Sequence, residues 1–236
     1  MNPYYDHAGI TLFCCDCREV LPTLVGDVVI TDPPYGTGGW RRLQAGQGRN
    51  PRSRFVKEIW DDGAVDWLVP IPTLTFWPSC SAVHLLSAAL AIGLTKHLAL
   101  YMHKLDPRPQ FAGRVALSVE PIWCLLPEGF QLHGGTDWIS ASTPRSGRDS
   151  DATGHPYQKP LSVLRWLVMK TIATTIIDPF AGSGTTLLAA KLEGRKAIGV
   201  EIEERYCEIA AKRLEQEVLP FSEPEIEKPV QFALSV

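Results

Sequence analysis

The chain has 236 residues, 45% of them hydrophobic and 21% charged, with a formal net charge of −3. That composition fits one globular domain with room for a sizeable core, and it excludes a globally basic nucleic-acid binder, so any nucleic-acid surface must be local. The six cysteines do not suggest a zinc site, the amino terminus lacks a basic start followed by an apolar run, and the apolar stretch near 83–94 is too short for a bilayer. A reduced, cytoplasmic protein without metal is expected.

Short apolar runs alternate with helical patterns, which predicts an α/β fold with a largely parallel sheet. "ITLFCC" (10–15) and "DVVIT" (27–31) read as buried strands, as does "TLTFW" (73–77), with a helix over 80–93. "HLALYM" (97–102) and "SVEPIWCLL" (118–126) read as further strands. Residues 161–173 read as a helix with apolar residues at 163, 164, 167 and 168, followed by the strand "TTIID" (174–178). A helix over 185–194 with Gly194 at its carboxyl cap, a strand over 196–202 and an amphipathic helix over 203–217 complete the pattern. The last helix presents Tyr206, Ile209, Ala210 and Leu214 on one face. A single domain over 1–218 is expected, with a loose tail at 219–236.

Two segments break the rhythm. Residues 36–57 carry six basic side chains (Arg41, Arg42, Arg49, Arg52, Arg54 and Lys57) and no acidic one. Residues 134–155 are rich in Gly, Ser and Thr. Loops on a rigid α/β scaffold often carry function, so both are candidate DNA-contacting insertions. The basic side chains could neutralise phosphates, and Trp40 could help the loop wedge into a duplex.

"IIDPFAGSGTTLLAAKLEGRKAIGVEI" is the most informative long stretch. A strand ends on Asp178 and turns through Phe180, Ala181, Gly182, Ser183 and Gly184 into a helix opened by Thr185. Glycines at a strand-to-helix turn let the backbone approach a ligand, and the helix N-terminus adds positive potential. Glu201, at the end of the next strand and followed by Ile202, can accept hydrogen bonds from ribose hydroxyls. No lysine follows the glycines as a P-loop needs, and the third glycine of a dinucleotide fingerprint is missing. S-adenosylmethionine, which has a ribose and an adenine but no phosphate, fits better: its ammonium and carboxylate suit Asp178 and the loop amides.

The second unusual stretch is "DVVITDPPYGTGG" (27–39), a strand that ends on Asp32, Pro33, Pro34 and Tyr35. A nucleoside site with D-P-P-Y at another strand end resembles the amino methyltransferases that act on exocyclic amines of nucleobases; such an amine, in adenine or cytosine, is a poor nucleophile because its lone pair is delocalised into the ring. The Asp32 carboxylate and the Pro33 carbonyl can each accept one of its hydrogens and aim the lone pair at a methyl sulfonium. The prolines keep those acceptors fixed, and Tyr35 offers a face for an extruded base. No covalent nucleophile is required, so Cys14, Cys15 and Cys17 are expected in or near the core.

Together, D-P-P-Y, the glycine loop and "GHPYQKPLSVL" (154–164) resemble the DNA amino methyltransferases with the catalytic motif before the cofactor motif, the β arrangement. The resemblance covers most of residues 10–215. It implies a class I S-adenosylmethionine-dependent methyltransferase fold: a Rossmann-like, mostly parallel seven-stranded sheet with one antiparallel strand near the edge and a permuted motif order. It implies that Asp16, with Cys17 beside it, contacts the cofactor adenine; Cys15 stands where the family usually has glycine. It implies that Lys159, in the family's His-Pro-x-Gln-Lys-Pro signature, helps hold the methionine end. Asp before Pro-Pro usually accompanies adenine-N6 methylation and Ser cytosine-N4, so adenine is favoured, with double-stranded DNA as partner and a homodimer as a possibility. The alternatives are an N4-cytosine enzyme, an enzyme acting on RNA or protein glutamine, a dehydrogenase, and a methyltransferase-like module that binds without catalysing.

Overall fold

The computed structural model describes residues 2–34, 65–77, 82–105, 109–111, 115–116, 118–142 and 158–216. One nine-stranded sheet organises them. In chain order its strands are β1 (Tyr5–His7), β2 (Ile10–Cys14), β3 (Val28–Thr31), β4 (Thr73–Phe76), β5 (Lys96–Lys104), β8 (Val119–Leu126), β9 (Trp138–Ala141), β10 (Thr175–Asp178) and β11 (Lys196–Glu201). A separate two-stranded ribbon pairs β6 (Pro109–Phe111) with β7 (Val115–Ala116). The helices are α1 (Cys17–Val20), α2 (Ala82–Ala91), α3 (Leu161–Met169), α4 (Thr185–Leu192) and α5 (Glu204–Glu215).

Across the sheet the order is β1-β2-β11-β10-β3-β4-β8-β5-β9. Strands β2, β11, β10, β3 and β4 run parallel, and β8 is antiparallel to both β4 and β5. The seven strands from β2 to β5 are the expected sheet with its antiparallel strand near the edge. Two more strands lengthen it: β1 adds antiparallel to β2, and β9 adds parallel to β5. β9 lies inside the 134–155 segment expected to be a DNA-contacting insertion, so part of that segment is sheet; residues 143–157 lie outside the described residues.

The period-two alternation of the strands sorts the core into two layers. Val28 and Ile30, with Ile10, Leu12, Leu74 and Phe76, pack under α3, α4 and α5 through Val163, Leu167, Leu187 and Leu214. Val29, Ile177 and Val200 point the other way, to Cys17, Trp67, Trp77 and Leu85. A strand covered on both faces reads as an unbroken apolar run, as "VVIT" does. In α3 the buried residues are Val163, Leu164, Leu167 and Val168, the stripe expected from the sequence. In α5 Cys207 takes the core position expected of Ile209, beside Tyr206, Ala210 and Leu214.

Helix α3 stops at Met169, short of the expected 173. Lys170 is diverted: its ammonium donates to the carbonyls of Gly134 at 3.0 Å and Thr136 at 2.5 Å, and its own carbonyl accepts from the His133 amide at 2.7 Å. The carbonyl that would carry the helix on is thus committed to the 133–136 segment, and β-branched Thr171 and Ile172 follow.

From β10 the chain returns through α4 to β11 on one side, while β3 and β4 lie on the other side of β10. The strand order therefore reverses between β10 and β3, the place where open α/β sheets bind ligands.

Candidate active site

The carboxyl ends of β2, β11, β10, β3 and β4 share one sheet edge, and the antiparallel β8 begins there. The register sets Glu201 beside Cys14 and Asp178 beside Gly199. Two acids, Asp178 buried and Glu201 half-buried, stand on neighbouring strands. Asp178 accepts from the Thr31 hydroxyl at 2.7 Å and the Phe180 amide at 3.1 Å. Burial pushes its pKa up to about 6 against those hydrogen bonds. Glu201 accepts from the Gly182 amide at 2.9 Å and the Glu203 amide at 2.8 Å, and burial pushes it up to about 7. Thr31 is the last residue of β3, so its bond to Asp178 ties the root of the D-P-P-Y loop to the glycine-loop strand.

Between the acids the loop turns tightly. Gly182 and Gly184 have φ of 52° and 78°, in the left-handed region. The Ala181 amide donates to the Val200 carbonyl at 2.8 Å, laying the loop over β11. Ala181, Ser183 and Thr185 are buried, and Phe180 meets the Trp67 ring edge-on at 5.7 Å between centroids. Arg213 of α5 clamps the turn from behind, donating to the Ser183 carbonyl at 2.6 Å and the Thr185 hydroxyl at 3.1 Å. Ile202 is half-buried past Glu201.

This donor and acceptor set fits S-adenosylmethionine. A carboxylate has room for about four hydrogen bonds, and Glu201 receives one backbone amide on each oxygen, leaving acceptor capacity for ribose hydroxyls. Asp178 has the negative charge that an ammonium would stabilise in its ionised form.

Asp16 and Cys17 lie at the end of β2. Asp16 caps α1, accepting from the Arg18 amide at 3.0 Å, and its other oxygen takes the Arg18 guanidinium at 2.5 Å. The Arg18 hydrogen bonds hold the Asp16 carboxyl below its usual range. Arg18 reaches on to Asp66 at 3.5 Å. The structure thus gives the acid expected to meet the adenine amine a capping and pairing role as well. Cys17 is buried and its thiol is pushed up to about 12, mainly by desolvation, which makes it inert.

On the other side of the switch point, Asp32 follows β3 directly, with Pro33 buried behind it and Pro34 half-buried. Lys159 reaches Asp32 Oδ2 at 3.2 Å, Glu120 Oε1 at 2.5 Å and the face of Phe76 at 4.5 Å from the centroid. Lys104, the last residue of β5, meets Glu120 Oε2 at 3.0 Å. Burial disfavours the charge on Lys159, but Asp32 and Glu120 outweigh it and raise the ammonium well above its ordinary value. Glu120 likewise loses hydration, and Lys159 and Lys104 more than compensate, holding it below its ordinary range.

Asp16, Cys17, Asp32, Pro33, Pro34, Lys159, Asp178, Phe180 to Thr185, Glu201 and Ile202 all fall on this one edge. Tyr35 and the basic set Trp40, Arg41, Arg42, Arg49, Arg52, Arg54 and Lys57 lie outside the described residues. Sequence reasoning missed Thr31, Lys104, Glu120 and Arg213. Glu120 had a signal: it is an acid inside the otherwise apolar run "VEPIWCLL".

Comparison with known proteins agrees with this geometry. The N6_N4_Mtase family model, described as DNA methylase, matches residues 40–212. The chain is 46% identical over 264 residues to the type II methyltransferase M2.DpnII of Streptococcus pneumoniae, covering 92% of this chain and 93% of that one. It is 28% identical over 250 residues to the type II methyltransferase M2.LlaDCHI of Lactococcus lactis subsp. cremoris, covering 90% and 92%. Among solved structures, the M1.HpyAVI–SAM complex superposes with a TM-score of 0.62 at 21% identity, over 88% of this chain and 100% of that one. PvuII DNA methyltransferase (cytosine-N4-specific) superposes with a TM-score of 0.65 at 17% identity, over 92% and 90%. Among the described residues no helix is long and apolar enough to cross a membrane. A class I methyltransferase sheet, an edge whose acids and glycine turn fit a nucleoside, and a family match across most of its length make this chain a member of the N6-adenine/N4-cytosine DNA methylase family, an S-adenosylmethionine-dependent DNA methyltransferase.

Proposed function

We propose that the protein methylates the exocyclic N6 amine of adenine at a specific site in double-stranded DNA. The observation that carries this reading is the acid that leads into Pro-Pro: Asp32 stands across the switch point from Asp178 and Glu201, and Lys159 at 3.2 Å favours its ionised, accepting form.

S-adenosylmethionine supplies an electrophilic methyl group when bound. Glu201 would hold its ribose, Asp178 and the Phe180–Thr185 turn its methionine end, and Asp16, Cys17 and Ile202 the adenine side. Asp32 accepts one hydrogen of the target amine and the Pro33 carbonyl the other, which turns the nitrogen lone pair away from the ring. Pro33 and Pro34 hold both acceptors in place without ordering cost at the moment of reaction. Tyr35 gives the extruded base a stacking face. A homodimer and a cytoplasmic location complete the proposal.

Methylation of unmethylated DNA, followed by digestion to nucleosides and mass spectrometry, tests it. N6-methyladenine is the expected product. N4-methylcytosine would keep the two-acceptor chemistry and overturn the base, and no methylated base would overturn the reading.

The basic set at 41–57 is proposed as the phosphate-binding surface. Replacing Arg49, Arg52 and Arg54 by Ala is expected to weaken DNA binding and reduce the slope of log affinity against log salt by about 0.9 for each phosphate no longer neutralised. Titrations at several salt concentrations measure it, and an unchanged slope would move the surface elsewhere.

A further inference from the structure

Glu120 and Lys104 belong to no motif of the reaction, yet they continue the row of charges that starts at Asp32. The signs alternate: Asp32, Lys159, Glu120, Lys104. The side chains are 24%, 15%, 18% and 15% exposed in that order. Four different parts of the chain supply them: the end of β3, the segment before α3, the start of β8 and the end of β5. Within this row Lys159 lies closer to Glu120, at 2.5 Å, than to Asp32, at 3.2 Å.

We propose that Glu120, anchored by Lys104, is a positioning residue: it draws Lys159 back from Asp32 and so sets how strongly the Asp32 carboxylate accepts the target amine. The proposal rests on the role given to Asp32 above. A carboxylate whose lone pairs are claimed by an ammonium is a poor acceptor for a neutral amine. A carboxylate deprived of that lysine, beside the buried acid Asp178, binds a proton more readily and becomes a weaker acceptor. Asp32 has to avoid both. One lysine shared unequally between two carboxylates does this, and Lys104 balances the second carboxylate so that Glu120 can stay ionised. Among the described residues, the charged groups facing this row are Asp32 and Glu120 on Lys159, Lys104 on Glu120, and Asp178 on Asp32.

Substitutions at the two ends of the Lys159–Glu120 pair give different pH behaviour. In Glu120→Gln, Lys159 settles on Asp32. Turnover at saturating substrate is expected to fall about tenfold or more, S-adenosylmethionine affinity to hold by calorimetry, and the acid limb of the kcat profile not to rise. In Lys159→Gln, Asp32 loses the Lys159 ammonium and the acid limb is expected to move up by about one pH unit or more. Lys159→Arg keeps the cation and is expected to return that limb toward its original place. Wild-type turnover in Glu120→Gln, or an acid limb that Lys159→Gln leaves unmoved, would overturn the proposal. Should Glu120→Gln fail to fold, Glu120→Asp keeps the charge at shorter reach: an intermediate kcat supports the proposal and a wild-type kcat overturns it.

A carboxyl carbon NMR titration of Asp32 in the cofactor-free protein checks the same point without turnover. An upward shift of the Asp32 titration in Lys159→Gln supports the charge row, and an unmoved titration overturns it. If that shift is present while the wild-type protein methylates no base, the function reading fails and the charge row stands.

Discussion

Replacing Asp32 by Ala is expected to lower methyl transfer by about 10²- to 10⁴-fold, the range for a positioned hydrogen-bonding group at a reacting atom, while S-adenosylmethionine binding survives. The separation follows from where the groups stand. The acids and amides that would hold the cofactor lie on β10, β11 and the turn between β10 and α4; Asp32 lies past the end of β3. Removing its carboxylate does not orphan the lysine beside it, because Lys159 keeps Glu120 at 2.5 Å. The fold therefore keeps its charge balance through Glu120, and the loss is read in chemistry. Asp32→Asn sharpens the result. It retains one acceptor oxygen but not the charge, so it is expected to fall between wild type and Asp32→Ala. Single-turnover methylation beside calorimetric titration of S-adenosylmethionine measures both quantities. Turnover within about tenfold of wild type in Asp32→Ala would sink the two-acceptor mechanism, since a group that accepts from the nucleophile cannot be lost so lightly.

The parts legible in the sequence were those fixed by local chemistry. A buried parallel strand has to be apolar on both faces, so "VVIT", "TIID" and "KAIGVE" identified themselves, and the residues at their carboxyl ends are the candidate site. Gly182 and Gly184 were legible because a strand-to-helix turn needs the left-handed region there. What stayed hidden depends on partners far apart in the chain. Thr31 reads as one more strand residue until Asp178, 147 positions away, takes its hydroxyl. Glu120 and Lys104 read as ordinary charges because their meaning lies in meeting Lys159, which the family signature had already assigned to the cofactor. Lys170 reads as part of a helix, and only the carbonyls of 134 and 136 show why the helix ends there. The added strands β1 and β9 are short edge pieces whose residues carry little alternation, and edge strands are specified by the neighbour that they pair with.

Gly184 carries the second large effect. It caps α4 with φ at 78°, and a Cβ built on it would lie 2.8 Å from the Ala210 Cβ and 3.2 Å from the Ala210 Cα. Gly184→Ala therefore meets two separate penalties. The left-handed conformation costs an L-residue about 1–2 kcal/mol, and crowding the packed face of a helix costs about 1–3 kcal/mol. A loss of about 2–5 kcal/mol is expected by chemical denaturation. The two terms can be separated, because only one of them involves α5. Ala210→Gly removes the nearest atom from the clash at a helix-propensity cost of about 1 kcal/mol, and it leaves φ at 184 unchanged. The double variant is expected to be less destabilised than the two single variants added together, with the remaining loss reporting the backbone conformation at 184 and the crowding against the α5 backbone. Strict additivity would show that α5 can withdraw from the turn. That outcome has a functional consequence. Arg213, one turn after Ala210 on α5, holds the Ser183 carbonyl at 2.6 Å, so a helix displaced by Gly184→Ala moves the amides that would meet the cofactor. S-adenosylmethionine affinity is therefore expected to fall in Gly184→Ala and to recover with stability in the double variant; recovery of stability without affinity would assign the binding defect to the conformation of residue 184 alone.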